Sequence, residues 1–212
     1  MGTIKKGILG GFSGKVGTVV GGSWKGISYM RSLPQKVKNP RTEGQVSQRT
    51  KFAITMHYLK PMTAFLRTGW KLYANKQSPF NAAMSYVLAN AITGSYPDYD
   101  IDPSKVLVSR GSLLPASGYD TDVTGGSIAI MWDDNSGISN AKPTDKALVA
   151  IINPTKGEGV CDTAGAERMT SSHSLNLPAD WSGDEVQLYL GFISEDGKEV
   201  ANSVYLGSAT VA

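Results

Sequence analysis

The chain has 212 residues, of which 41% are hydrophobic and 18% charged, with one cysteine, two histidines and a net charge of +3. This composition is ordinary for a globular protein and excludes a disordered tail, a collagen, a coiled coil and a disulfide-framed secreted scaffold. So few histidines and cysteines argue against a multi-ligand metal site, and we expect no metal and no cofactor.

The net charge conceals a strong asymmetry along the chain. Residues 1–76 contain 14 basic residues and a single acid, Glu43, for a local charge of +13. The remaining residues contain 7 basic and 17 acidic residues, for a local charge of −10. A split of this size indicates two modules with different partners.

The chain opens on a glycine-rich segment, residues 7–33. Apolar residues alternate there with small or polar ones, which predicts two or three short strands, with Gly21-Gly22 as a hairpin turn. The sequence GGFSGKVGT (10–18) contains part of a phosphate-binding loop motif, but Val16 follows Lys15 where that motif needs Ser or Thr. We therefore favour a glycine-rich hairpin, followed by a basic, proline-bounded connector at residues 34–40.

Three helices are predicted next. Thr42 is the expected N-cap of a helix over residues 43–58, and Pro61 starts or kinks a second helix over residues 61–74. In the third helix Ser78 is the N-cap, Pro79 the first residue and Gly94 the C-terminal stop. These hairpins and helices form an α+β amino-terminal module, residues 1–97.

An acidic, proline-bounded linker at residues 98–104 is the expected domain boundary. Beyond it, residues 105–212 change to a period of two, which predicts an all-β, seven-stranded antiparallel sandwich. The predicted strands are Val106–Leu113, Ser127–Trp132, Ala147–Asn153, Gly159–Asp162, Met169–Leu177, Val186–Ser194 and Val200–Leu206.

Two stretches of the second module carry a family resemblance. SIAIMWDDNSG (127–137), with Trp132 at the expected core position, and residues 175–206, with a Leu-x-Leu-Pro lead-in and a Glu-Asp-Gly turn, resemble a fibronectin type III or related immunoglobulin-like domain. Such domains are spacers and binding modules, so the resemblance implies no reaction.

The chain as a whole resembles an uncharacterised protein family of Bacteroidota. The motifs that carry the likeness are GGFSGKVGTVVGGSWKGISYMRSLP, NPRTEGQVSQRTKF, SPFNAAMSYVLANAITG and DIDPSKVLVSRGSL. The second of these is also similar to segments of some phage structural proteins. The resemblance implies no activity.

The basic module contains the strongest functional signal, because its cations are interleaved with aromatic residues. That mixture suits neutralisation of a phosphate backbone together with stacking on bases. The expected contacts to nucleic acid or another polyanion are Lys15, Lys25, Arg31, Lys36, Lys38, Arg41, Arg49, Lys60, Arg67 and Lys71, with stacking by Trp24, Tyr29 and Trp70.

Candidate catalytic groups are weaker, and we expect no catalytic residues and no enzyme. Cys161 has no histidine near it in sequence, and His57 lies at a helix end, where packing accounts for it. A Ser/His hydrolase using His173 with Asp180 or Asp184 remains an alternative. The alternating aspartates in residues 98–102 lack the glycine and closing glutamate of a calcium loop.

These observations favour a non-enzymatic structural or assembly protein. Its basic module contacts neighbouring copies, an acidic protein surface or nucleic acid, and its sandwich is a spacer or display module. The alternative is a nucleic-acid-binding protein that works alone. We expect a homo-oligomer or larger assembly, with no membrane and no small-molecule substrate. We also expect synthesis in the cytoplasm without a signal peptide, with incorporation into a phage-like particle left open.

Overall fold

The computed structural model describes residues 2–4, 7, 10–24, 26–35, 39 and 41–211. The chain divides into two compact units, Met1–Thr42 and Glu43–Ala212, which we call the amino-terminal and carboxy-terminal units. It is a mixed α+β protein, as expected. The division falls at the start of the first helix, however, and not at the linker predicted for residues 98–104.

The amino-terminal unit contains one antiparallel sheet. Its four strands follow one another in the order of the chain, so each pairs with the next. The strands are β1 (Thr3–Ile4), β2 (Phe12–Val16), β3 (Val19–Trp24) and β4 (Ile27–Ser32).

The carboxy-terminal unit begins with three helices, α1 (Glu43–Leu59), α2 (Thr63–Gly69) and α3 (Pro79–Asn90). The sequence predicts α1 within one residue. Ser78 caps α3 as expected, since its hydroxyl accepts a hydrogen bond from the backbone N–H of Asn81 at 3.2 Å. Gly94, the expected stop of α3, instead lies beyond the helix, in strand β5 (Ile92–Ser95).

The second predicted helix is shorter and less regular than expected. Short 3₁₀ turns, Lys60–Met62 and Lys71–Tyr73, flank the seven residues of α2. The helix ends at Gly69, where a Cβ atom would lie 2.6 Å from the carbonyl oxygen of Val108. Because the chain packs backbone against backbone here, a continuous helix over residues 61–74 does not form.

The acidic segment predicted as a linker is part of the packed structure. Its residues form strand β6 (Asp98–Ile101), which pairs with β5 in a two-stranded hairpin, followed by a 3₁₀ turn, Pro103–Lys105. Ile101 is buried in the same core as the helices. The domain boundary at residues 98–104 is therefore wrong, because apolar contacts continue across it.

Two antiparallel sheets form a β-sandwich in the carboxy-terminal unit. One sheet has the order β10-β9-β12-β13 and the other the order β11-β8-β7. The strands are β7 (Asp120–Thr124), β8 (Ser127–Met131), β9 (Lys146–Asn153), β10 (Glu158–Asp162), β11 (Ser172–Asn176), β12 (Glu185–Ile193) and β13 (Val204–Thr210).

The central strands β9 and β12 are buried on both faces. Leu148 and Tyr189 pack with the helices in one core, whereas Val149 and Leu190 pack with the second sheet in another. The helices therefore cover the outer face of the larger sheet, and the unit has three layers. This packing is the physical reason why the predicted modules, residues 1–97 and 105–212, are not separate.

The sandwich strands differ from the prediction at both ends of the sandwich. The last strand, β13, begins and ends four residues later than the predicted strand Val200–Leu206. Residues 106–113 are irregular, although Val106, Val108 and Leu113 are buried. Side chains hold this segment in place, as the hydroxyl of Ser203 accepts from the N–H of Val108 at 2.9 Å. The first strand of the sandwich is instead β7, which is not among the predicted strands.

A buried ion pair lies inside the sandwich. The side chains of Arg168 and Asp145 are both fully buried, with 3.2 Å between Nε and Oδ2. The guanidinium also donates to the Leu114 carbonyl at 3.0 Å and lies 3.8 Å from the centre of the Phe192 ring.

None of the helices in the described part of the chain is long and apolar enough to span a membrane.

Candidate interaction surface

Glycines shape the amino-terminal sheet by allowing close approach within its strands. The turn between β2 and β3 is at Gly17-Thr18, and Gly21-Gly22 lie in the middle of β3. A Cβ on Gly21 would lie 2.2 Å from the carbonyl oxygen of Phe12, and one on Gly22 would lie 3.0 Å from the Tyr29 ring. The prediction of a turn at Gly21-Gly22 is therefore wrong.

The strand register sorts the side chains of this sheet onto two faces. Lys15 of β2 is opposite Val20 of β3, which is opposite Arg31 of β4. Residues directly opposite one another in antiparallel strands share a face, and so do residues two apart along a strand. Tyr29 therefore shares the face of Arg31, and Trp24 shares the face of Val20. We call this the basic face.

The basic face presents its cations and aromatic rings to solvent. Lys15 and Arg31 are exposed, and the exposed fractions of Trp24 and Tyr29 are 70% and 45%. The structure thus brings four of the predicted contact residues onto one face of one sheet. Exposed cations beside exposed rings are the combination that neutralises phosphates and stacks on bases.

The opposite side of the sheet carries large apolar side chains, and none of its described strand residues is charged. Val16 pairs with Val19, Gly14 pairs with Gly21, and Gly21 pairs with Met30. Val16 is 55% exposed and Met30 71% exposed. Ile4 and Phe12 pair on the same side. We call this the apolar face; sequence reasoning missed it because the misplaced turn hid the register.

The amino-terminal unit has no apolar core among its described residues. None of them belongs to either hydrophobic core, and Gly21 is the one buried residue. A small sheet in water needs a covered apolar face to be stable by itself. The charge is equally one-sided, because residues 1–42 contain eight basic residues and no acid, whereas residues 43–212 contain 13 basic and 18 acidic residues.

Those of the remaining predicted contact residues that the structure describes lie outside the strands of this sheet. Lys25, Lys36 and Lys38 lie outside the described residues, and Arg41 is exposed near the end of the unit. Four others are exposed in the carboxy-terminal unit, namely Arg49, Lys60, Arg67 and Lys71. Lys60 and Lys71 lie in the 3₁₀ turns on either side of α2, and Arg67 lies in α2 itself. These three cations are therefore not spaced along one continuous helix, as a shared helical face would require.

Trp70 is a buried core residue, so the prediction that it stacks on bases is wrong. Its exposed fraction is 1%, and its indole N–H donates to the carbonyl of Leu107 at 3.2 Å. The ring contacts Tyr86, with 5.7 Å between centroids, and the Arg110 guanidinium lies 5.7 Å from it. Its packing against the helices leaves no ring face for a base.

The candidate catalytic groups have structural partners. His173 pairs with Asp162, at 3.0 Å between Nε2 and Oδ2, and not with the predicted Asp180 or Asp184. Its other ring nitrogen accepts from the N–H of Ala166 at 3.3 Å. Burial raises the pKa of the Cys161 thiol to about 12, so the reactive thiolate is scarce near neutral pH.

No group of three or more His, Cys, Asp or Glu side chains in the described residues is placed to hold a metal ion. The two-faced sheet of the amino-terminal unit brings together the largest number of the predicted contact residues and is the candidate interaction surface.

The fold defines the chain as a two-unit α+β protein, with an exposed β-meander before a helix-covered β-sandwich. Residues 11–207 match the model of a family described as a family of unknown function, DUF6266, and the chain belongs to that family. The chain is similar to the solution structure of the fn3 domain of human collagen alpha-1(XX) chain. That likeness has 14% identity and a TM-score of 0.35, and it covers 49% of this chain and 91% of the collagen domain. No curated protein matches the chain.

Proposed function

We propose that this chain is a non-enzymatic assembly protein that makes its contacts through the amino-terminal sheet. The observation that carries the proposal is the sheet itself. Its described residues expose a basic face and an apolar face without charges, and they form no core of their own. Extended apolar surface on a small unit is typical of a protein contact. In this proposal the carboxy-terminal unit is a rigid spacer or display module.

The two faces suit two kinds of partner. The basic face contacts a polyanion, either nucleic acid or an acidic protein surface, since Lys15 and Arg31 lie in one row across the strands. The apolar face contacts neighbouring copies. Because every charge in residues 1–42 is positive, repulsion between copies of this unit is weakest when they meet on the side where the described strand residues carry no charge.

A nucleic-acid-binding protein that works alone is the second candidate. The exposed rings of Trp24 and Tyr29, beside two cations, favour it. The two proposals differ in the oligomeric state of the free protein. An assembly protein forms multimers after nuclease treatment, whereas a protein that works alone is then monomeric.

Light scattering after size separation distinguishes the two proposals. We expect a mass of several copies at low salt, both before and after nuclease treatment. Val16→Ser combined with Met30→Ser should reduce that mass without abolishing binding to a 30-nucleotide DNA. A nuclease-treated wild-type protein that is monomeric at high concentration and low salt would contradict the assembly proposal.

The basic face has a matched test. Lys15→Glu with Arg31→Glu changes the net charge by the same amount as Lys76→Glu with Lys142→Glu, two exposed lysines of the carboxy-terminal unit that are not predicted contacts. If both cations of the basic face contact single-stranded DNA, losing them should reduce the slope of log affinity against log salt by about 1.4. The control variant should bind with a nearly unchanged slope. Equal losses in both variants would mean that net charge, and not this face, determines binding.

A further inference from the structure

A cavity of about 350 Å³ lies within the carboxy-terminal unit, apart from the amino-terminal sheet. Its wall is mainly apolar and contains three isoleucines, Ile54 of α1, Ile101 of β6 and Ile152 of β9, together with three prolines. A volume of this size is within the range of small-molecule sites in proteins, which begins at about 300 Å³. The cavity is partly open to solvent.

Buried hydrogen bonds hold the wall in place. The hydroxyl of Tyr189 donates to the Pro103 carbonyl at 3.0 Å, so the hydroxyl of Tyr58 donates to the Tyr189 oxygen, 2.7 Å away. This relay connects α1, β12 and the turn after β6. Burial raises the pKa of both phenols well above the usual range, so both stay protonated. The cavity therefore needs no rearrangement to form.

The turn between β9 and β10 closes one side of the cavity. Gly157 lies so close to the His57 ring that a Cβ would be 2.8 Å from its Cε1 atom. Both residues line the cavity, and Gly157 has a positive φ of 67°. The imidazole is thus packed against backbone on one side.

The polar groups of the wall favour a cation over an anion. Asp100 is the one carboxylate among the lining residues, and no lysine or arginine lines the cavity. One oxygen of Asp100 accepts from the N–H of Ile101 at 2.8 Å. Both hydroxyl protons of the tyrosine relay are already donated, and the Gln187 side-chain oxygen accepts from Tyr205. The donors that remain on the wall are the His57 ring and the Gln187 amide group, whereas Asp100, an exposed residue, is the carboxylate that an ammonium group would meet.

We propose that this cavity binds a small organic amine, with the ammonium group at Asp100 and the alkyl body against the isoleucines. Apolar burial and one charge-assisted hydrogen bond supply the affinity. The proposal concerns binding without a reaction, and it does not depend on the amino-terminal sheet.

Isoleucine methyl NMR on the full chain tests the proposal, because the methyl signals of the three lining isoleucines are sensitive to a ligand in the cavity. We expect hexylamine to shift the methyl signals of Ile54, Ile101 and Ile152 in a saturable way, and to leave Ile130 in the sandwich and Ile27 in β4 unchanged. Hexanol, with the same alkyl body, should bind about two- to fivefold more weakly, and hexanoate more weakly still.

A charge variant with a matched control completes the test. Because Asp100 is an exposed residue, Asp100→Asn should weaken hexylamine binding about two- to fivefold and leave hexanol binding unchanged. Asp98→Asn removes the same charge from the same strand at a residue that does not line the cavity, and should leave both unchanged. The proposal is overturned if hexylamine gives no saturable shifts, if hexanoate binds as well as hexylamine, or if both variants behave alike.

Discussion

The three-layer packing predicts that the sandwich does not fold without its helices. A fragment of residues 105–212 corresponds to the second module expected from the sequence. Without the helices, it exposes the outer face of the sheet β10-β9-β12-β13. In the intact unit, Leu148, Ile152 and Tyr189 on that face are at most 1% exposed. The comparison is with a fragment of residues 43–212, which keeps the helices and lacks the amino-terminal unit.

The size of the effect follows from these buried side chains. Full burial of a large apolar side chain contributes about 1.5–3 kcal/mol, so the three together contribute about 4.5–9 kcal/mol as an upper estimate. The free energy of unfolding of a whole domain is about 5–15 kcal/mol. Removing the helices should therefore consume most or all of the stability of the sandwich.

Urea unfolding of both fragments, followed by circular dichroism, measures the difference. We expect one cooperative transition for residues 43–212 and none, or one shifted to very low urea, for residues 105–212. In the longer fragment, Leu66→Ala in α2 should lower the free energy of unfolding by about 2–5 kcal/mol and shift the whole transition. The reasoning is refuted if the short fragment unfolds cooperatively with a free energy within about 2 kcal/mol of the longer one.

Three further outcomes follow from individual contacts. Arg168→Met should lower the free energy of unfolding by about 3–5 kcal/mol, because it leaves the carboxylate of Asp145 buried and unpaired; urea unfolding measures this. Ser78→Ala should cost about 0.5–2 kcal/mol by removing the cap of α3, with Ser85→Ala in the same helix as the control. Alkylation of Cys161 by iodoacetamide at pH 8 should be slow in the folded protein and fast in urea, since burial raises the thiol pKa to about 12; equal rates would contradict this.

The helices could be predicted from the sequence because the signals that start a helix depend only on neighbouring residues. Ser78 followed by Pro79 is an N-terminal signature whose geometry is satisfied within one turn, and α3 begins there. The α+β class was predicted for the same reason. The length of α2 depends instead on residues 108 and 109 reaching Gly69, a contact between distant parts of the chain that the local pattern does not contain.

The layering could have been predicted from one signal that was available. Strands β9 and β12, with the sequences KALVAIIN and EVQLYLGFI, are almost continuously apolar. Continuous apolar strands are typical of sheets covered on both faces, whereas a two-layer sandwich with one solvent face gives alternation. The apolar run of β9 therefore indicated a third layer, and the helices of the chain were the elements available to supply it.

The two faces of the amino-terminal sheet depend on one turn position. With the turn at Gly17-Thr18, Lys15 is opposite Val20, and Val16 is opposite Val19. A shift of one residue in either strand would exchange the faces of every side chain in it. The cations could be identified from the sequence, but their separation from the apolar residues required the register.

This separation is what makes the assembly proposal specific. A sheet with no core gains no stability of its own from exposing Val16 and Met30, or from carrying positive charge without any acid. Solubility alone would be served by mixed charges on both faces. Among the described strand residues, the cations lie on one face only, beside Trp24, Tyr29 and Ile27, and the other face is apolar without charge. This arrangement instead fits a unit whose two sides meet different partners. Variants on the two faces should accordingly affect polyanion binding and self-association independently, and a variant of either face that abolished both would argue for a single shared contact.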